Sequence, residues 1–130
     1  MTEPTFLDLS DVETLHDRML AAYGGLPGTR DRGLLESALG RAENRYAYGD
    51  PETTTLFDLA AAYAFGIARN HPFNDANKRT AWATCLAFLD LNGVLLPELV
   101  AEAVEAVVRL AQGETDEDGF AAWLREMVQR

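Results

Sequence analysis

The sequence predicts an all-α fold. Alanine and leucine recur at helical spacing through most of the chain, alternating β-branched runs of strand type are almost absent, and glycine and proline interrupt the helical stretches. At 130 residues a single domain over residues 1–130 is expected. Folding at this length buries about two-thirds of the unfolded chain's surface, enough for a core without disulfides or a structural metal. Hydrophobic residues, 48% of the chain, supply that core. With 21 acidic and 11 basic residues the net charge is −10, which disfavours direct contact with nucleic acid or an anionic membrane. Cys85 is the single cysteine and lies in an apolar stretch, so it reads as a small packed hydrophobe in a reducing compartment. Met1-Thr2-Glu3-Pro4 leads into no long apolar run, so no targeting segment is read and the cytoplasm is expected.

Six helices are expected in about the following places. The first runs from Asp11 to Tyr23, opened by Ser10 and Glu13 as a capping box and closed by Gly24 and Gly25. A loop through Leu26-Pro27-Gly28 follows. The second helix starts near Asp31, presents Leu34, Leu35, Ala38 and Ala42 on one face, and runs out towards Tyr46 to Asp50. Gly49-Asp50-Pro51 then marks a turn. The third, Thr54 to Asn70, carries Leu56, Leu59, Ala60, Tyr63 and Ile67 and is nearly apolar all round, which places it at the centre. Its run Leu59 to Ala68 is well short of the roughly eighteen residues of a membrane span. Pro72 interrupts the helix, because the residue before a proline is pushed out of the α region, and a fourth helix restarts near Asp75 and runs to Asn92. Pro97 opens a fifth, with Leu99, Ala103, Val107 and Leu110 inward, until Gly113 ends it. Thr115 and Asp118 introduce a sixth carrying Phe120, Trp123, Leu124 and Met127. The third and fourth helices therefore flank the loop between them.

That loop carries the residues a helical scaffold alone does not require: His71-Pro72-Phe73-Asn74-Asp75-Ala76-Asn77-Lys78-Arg79-Thr80. A helix N-terminus bears a partial positive charge and unpaired N–H donors, so Lys78 and Arg79 in its first turn are misplaced unless an anion binds there. Backbone donors converging with a lysine, a guanidinium and the Asn77 amide form a phosphate cradle. His71, just ahead of it, is a candidate general base. Asp75 is a candidate ligand for a divalent cation bridging phosphates, since magnesium takes one or two protein carboxylates and keeps several waters. Phe73 anchors the loop in the core. From the residues alone a plainer alternative stands beside this: Asp75 caps the helix and pairs with Arg79, and Asn77 is an ordinary surface residue. A zinc site is disfavoured, because the other histidine, His16, lies on a distant amphipathic helix and no cysteine cluster exists. His16, Trp82 and Trp123 read as packing or surface residues. The familiar glycine-rich nucleotide fingerprints are absent from the sequence.

These residues resemble the signature of the Fic/Doc family, H-x-F-x-[DE]-[AG]-N-[KG]-R, at every defined position, and are most similar to its death-on-curing toxin branch. Gly25-Leu26-Pro27-Gly28, Leu34-Leu35-Glu36-Ser37-Ala38-Leu39 and Phe88-Leu89-x-x-Asn92-Gly93 extend the resemblance over nearly the whole chain. It implies a Fic/Doc-like bundle that uses ATP and Mg2+ to modify a hydroxyl on a protein target. By that resemblance His71 is the base, Asp75 binds magnesium, Arg79 is catalytic and also holds phosphate, and Asn77 and Lys78 hold phosphate. Lys78 stands where larger Fic enzymes have glycine, and Trp82 where they have a second arginine. Both departures count against transfer of AMP, and the resemblance to the toxin branch implies transfer of the γ-phosphate to a threonine or serine of a translation factor, elongation factor Tu, so arresting translation. Transfer of AMP is the alternative, and a non-catalytic nucleotide- or partner-binding regulator the third. No inhibitory [ST]-x-x-x-E-[GN] segment is present; Leu39-Gly40-Arg41-Ala42-Glu43-Asn44 comes nearest. Restraint is therefore expected from a separate antitoxin that folds on binding. The stretch Asn44 to Pro51, rich in tyrosine and glycine, is expected to lie over the site and align the target.

Overall fold

The computed structural model describes residues 3–97 and 100–129 and bears out the all-α expectation. The order is α1 (Leu9–Tyr23), α2 (Arg32–Tyr48), α3 (Leu56–Asn70), α4 (Asn77–Leu91), α5 (Val100–Gln112) and α6 (Glu117–Val128). Among the described residues the only β-type pairing is an isolated antiparallel bridge between Thr29 and Phe73.

α3 is the axle of the bundle, packed against α2, α4, α5 and α6. Its composition explains this. Leu59 to Ala64, Ile67 and Ala68 are fully buried, and the alanines keep the helix slim enough for neighbours to close in on several sides. The tightest approach is at Gly66, where an added Cβ would lie 2.9 Å from both Cα and Cβ of Ala38 on α2. Thr55 caps α3, accepting from Asp58 N, and Asp58 returns a bond to the Thr55 N–H. α1 lies across α4 and touches α2. Ala103, Val107 and Leu110 of α5 and Phe120, Leu124 and Met127 of α6 turn inward as the spacing predicts. Leu99 lies outside the described residues. Cys85 is fully buried, and burial pushes its thiol pKa well up, as suits an inert packed cysteine.

Three expectations are corrected. The capping box of α1 is Asp8 with Asp11, each carboxylate accepting the other residue's N–H at 2.9 Å, so the helix begins ahead of Ser10 and Glu13. An aspartate pair fills both positions of the box, and Ser10, already helical, offers its carbonyl to the Thr14 hydroxyl. α4 begins at Asn77, because Asp75 turns its carboxylate back onto the loop and Ala76 adopts a left-handed conformation. Finally, Asn44 to Tyr48 are the last residues of α2 and lie at the end of the bundle away from the motif loop. Arg45 pairs there with Glu117 and Asp118, and Tyr46 packs edge-on against Phe6 at 5.8 Å.

Candidate active site

α3 ends at Asn70, and His71 turns the chain with φ 50 and ψ 56, its N–H donating to Ile67 O. Pro72 prevents continuation of the helix. Phe73 drops into the core, 2% exposed, and stacks flat on the His16 ring with centroids 3.9 Å apart. Asn77 clamps the same residue from the other side: its Oδ1 accepts from Phe73 N at 3.0 Å and its Nδ2 donates to Phe73 O at 3.1 Å. The loop after α1 supplies a second rim. Asn74 N donates to Gly28 O, Asn74 Nδ2 donates to Pro27 O, and the Arg30 and Asp31 N–H groups both donate to Pro72 O.

Asp75 sits where these elements meet. Its Oδ1 accepts from Ala76 N at 2.8 Å and its Oδ2 from Leu26 N at 3.0 Å. The Leu26 N–H, then that of Ala76, with smaller help from the charges of Arg79 and His16, hold its carboxyl below the usual carboxylate range. His16 Nε2 lies 3.0 Å from Asp75 O; a carbonyl only accepts, so this nitrogen donates and carries the proton. Gly25 passes between Asp75 and Arg79: an added Cβ there would meet Asp75 Oδ2 at 2.8 Å and Arg79 Nη2 at 3.3 Å, and its φ of 129 suits only glycine. Ala76, at φ 61, opens α4 without a side-chain cap, so its residue type supplies nothing to cover the donors of the first turn.

One cleft of about 830 Å3 gathers His71, Asp75, Asn77, Lys78 and Arg79. His71 and Lys78 are exposed at its mouth. Arg79 leans on the end of α1, donating from Nη1 to Gly24 O at 3.0 Å, with its guanidinium 5.8 Å from the Tyr23 ring centre. Away from this polar end the cleft becomes an apolar trough of Met19, Trp82, Leu86, Val104, Val107 and Val108. Trp82 therefore lines the cleft, although its ring also packs 5.7 Å from that of Trp123.

Asp75 fits a hard cation: it is ionised at neutral pH, faces the cleft, and with two N–H bonds accepted still has lone pairs free on its oxygens. Among the described residues no group of three or more His, Cys, Asp or Glu side chains gathers, so a metal held by Asp75 would need its other ligands from water and substrate. His16, expected to be distant, is buried directly beneath the loop, because it occupies the face of α1 turned towards α4. Its place was invisible to spacing, as was that of Arg30; Gly25 was legible as a helix-ending glycine and in the Gly25-Leu26-Pro27-Gly28 resemblance, but not as a neighbour of Asp75 and Arg79.

Comparison with known proteins yields a match of the Fic/DOC family model to residues 6–89. The chain is 44% identical over 116 residues to the Protein kinase doc of Escherichia phage P1, covering 87% of each chain. It is 40% identical over 126 residues to the Toxin Doc of Mycolicibacterium smegmatis, covering 95% of this chain and 92% of that one.

Proposed function

The chain belongs to the Fic/DOC family, and from that membership we propose that it is a Doc-type toxin that transfers the γ-phosphate of ATP to a serine or threonine hydroxyl of a protein target. The observation that carries this reading is the single cleft in which a histidine, an ionised carboxylate, a lysine and an arginine meet the open first turn of a helix. His71 at the mouth takes the proton from the target hydroxyl as its oxygen attacks the γ-phosphorus; the bond from that phosphorus to the β–γ bridging oxygen breaks and ADP leaves. Lys78, Arg79 and the backbone N–H groups that open α4 hold the nucleotide's phosphates. Asn77 has both ends of its side-chain amide committed to Phe73, so it serves through its backbone N–H and by bracing the loop. Asp75 would hold magnesium, which would supply neutralisation of phosphate charge.

Phosphate rather than AMP transfer is favoured by Lys78 at the mouth and by Trp82 on the cleft wall, a position that offers no cation to a second phosphate. The phage relative, named as a protein kinase, points the same way. The target assigned is elongation factor Tu, with arrest of translation in the cytoplasm as the consequence. A cognate antitoxin segment restrains the toxin by covering the cleft. No described helix is long and apolar enough to cross a membrane.

The test is incubation of the purified protein with magnesium, elongation factor Tu and ATP labelled separately at the γ- and α-phosphates, beside the His71→Ala variant. Label on the target from γ-ATP alone, reduced at least about 100-fold in the variant, is expected. Label from α-ATP would replace the kinase with an AMP transferase, and no label from either would remove this target.

A further inference from the structure

We propose that Arg30 is a positioning residue for His71, gripping the end of α3 so that the imidazole is held at the mouth of the cleft; this rests on reading His71 as the base. Arg30 reaches three consecutive carbonyls. Its Nη2 donates to Asn70 O at 2.9 Å, its Nε to His71 O at 2.8 Å, and its backbone N–H to Pro72 O at 2.8 Å. The first two are carbonyls a helix end leaves without a partner, and the planar guanidinium spans them as a fork. Its charge also complements the negative end of the α3 dipole.

His71 needs such a grip. It is a residue with a Cβ held at φ 50, a conformation that persists only where the surroundings over-determine it. The ring itself is exposed, so core packing does not fix it. Phe73 and Asn77 secure the loop two residues further on. On the α3 side, Asn70 Nδ2 donates to Leu34 O at 3.1 Å, which fixes Asn70, and His71 itself is held by its N–H on Ile67 O at 3.2 Å and by Arg30 on its carbonyl. Without the fork, His71 can relax to negative φ, and the direction of its Cα–Cβ bond changes. Proton transfer demands close placement of base and hydroxyl, so a small displacement costs rate rather than nucleotide binding.

The experiment pairs kinetics with a measurement that needs no activity. Arg30→Ala is expected to lower kcat about tenfold with KM for ATP unchanged within about twofold. Arg30→Lys, which keeps the charge but not the fork, is expected to fall between the variant and the native protein. The chain has only two histidines, so the imidazole signals of His71 and His16 are resolved by NMR and assigned with His71→Ala. In Arg30→Ala without nucleotide the His71 signals should shift or broaden while those of His16, buried against Phe73, stay in place. An unmoved His71 signal overturns the proposal even if kcat falls, and so does joint movement of both histidines, which would mean that Arg30 holds the fold at large. Full activity in the alanine variant refutes the proposal. If the native protein transfers no label to its target, the kinase reading fails by itself, and the NMR comparison still decides whether Arg30 fixes His71.

Discussion

His71 and Ala76 both adopt the left-handed region although neither is glycine, and over this span the chain turns from α3 to α4 while presenting His71, Asn74 and Asp75 to one cleft. Such conformations survive because Phe73 is pinned by His16 and Asn77, and Asp75 by two N–H donors. The chemical types at the site were readable in sequence, since a lysine and an arginine at a helix start conflict with the dipole. Their conformations were not, because φ at His71 and Ala76 depends on partners 40 or more residues away, such as Arg30 and Leu26. Asp75 gives a test with a definite sign. Its folded pKa is depressed, so its contribution is fully present above the ordinary carboxylate pKa of about 3.9 and is lost as pH falls through the lower folded value. Asp75→Asn removes that titration. In urea unfolding from pH 7 to pH 2, the stability gap between native protein and variant should stay constant down to about pH 4 and then close. A gap that does not change with pH would mean that the charged form is not what the Leu26 and Ala76 N–H groups hold.

At the scale of helices, periodicity revealed what burial later required. α3 was recognisable as central because its apolar residues leave no wet face, and α5 and α6 because their inward residues recur at three and four. The ends were less legible: Asp8 with Asp11 and Ser10 with Glu13 are both acceptable boxes, and only three-dimensional context selects the first. The stretch Asn44 to Pro51 misled for a related reason. Its tyrosines and glycine suggest a segment free to lie over the site, yet Arg45 and Tyr46 find partners on α6 and at Phe6 and hold it as the last turns of α2. The crossing of α2 over α3 depends on Gly66. Replacing it with alanine gains up to about 1 kcal/mol of helix propensity. The new methyl would stand 2.9 Å from Cα and 3.0 Å from O of Ala38, and backbone cannot move aside as a flexible side chain can. Overpacking of that kind costs about 1–3 kcal/mol, so Gly66→Ala should be net destabilising by about 1 kcal/mol. Thermal or urea unfolding would read this, and an increase in stability would show that the two helices can separate freely.

Across the whole molecule, the chemistry and the charge network occupy opposite ends of α3. His71 follows its last residue, whereas Asp58 in its first turn joins a cluster with Arg45 and Arg125. Glu117, at the start of α6, bridges Arg41 and Arg45, and Asp118 takes Arg45 at 2.8 Å. Burial works against the charge on Arg45, but hydrogen bonds and attraction from Asp118 and Glu117 more than offset it and raise its pKa. The cluster fastens α2, α3 and α6 where no residue of the cleft lies. Glu117, with its side chain 11% exposed, is the member whose loss leaves the most charge uncompensated. Glu117→Gln keeps the shape but takes the charged partner from Arg41, 46% exposed, and one of the carboxylates around Arg45, 30% exposed, which keeps Asp118 and Asp58. Breaking a fully buried pair costs several kcal/mol and an exposed one almost nothing, so this partly screened site should lose about 1–2 kcal/mol. The loss should shrink as salt is raised, because the native pairs weaken. The distance from Asp58 to Asn70, twelve residues of helix, is about 18 Å. A change confined to the cluster should therefore leave kcat and KM for ATP unchanged at temperatures where the variant remains folded. Unfolding in urea at low and high salt, followed by phosphotransfer kinetics at 20 °C below the melting range, separates the two effects. A variant that stays fully folded yet loses activity would mean that the far end of α3 transmits to the His71 turn, and α3 would then be a lever rather than a fixed axle.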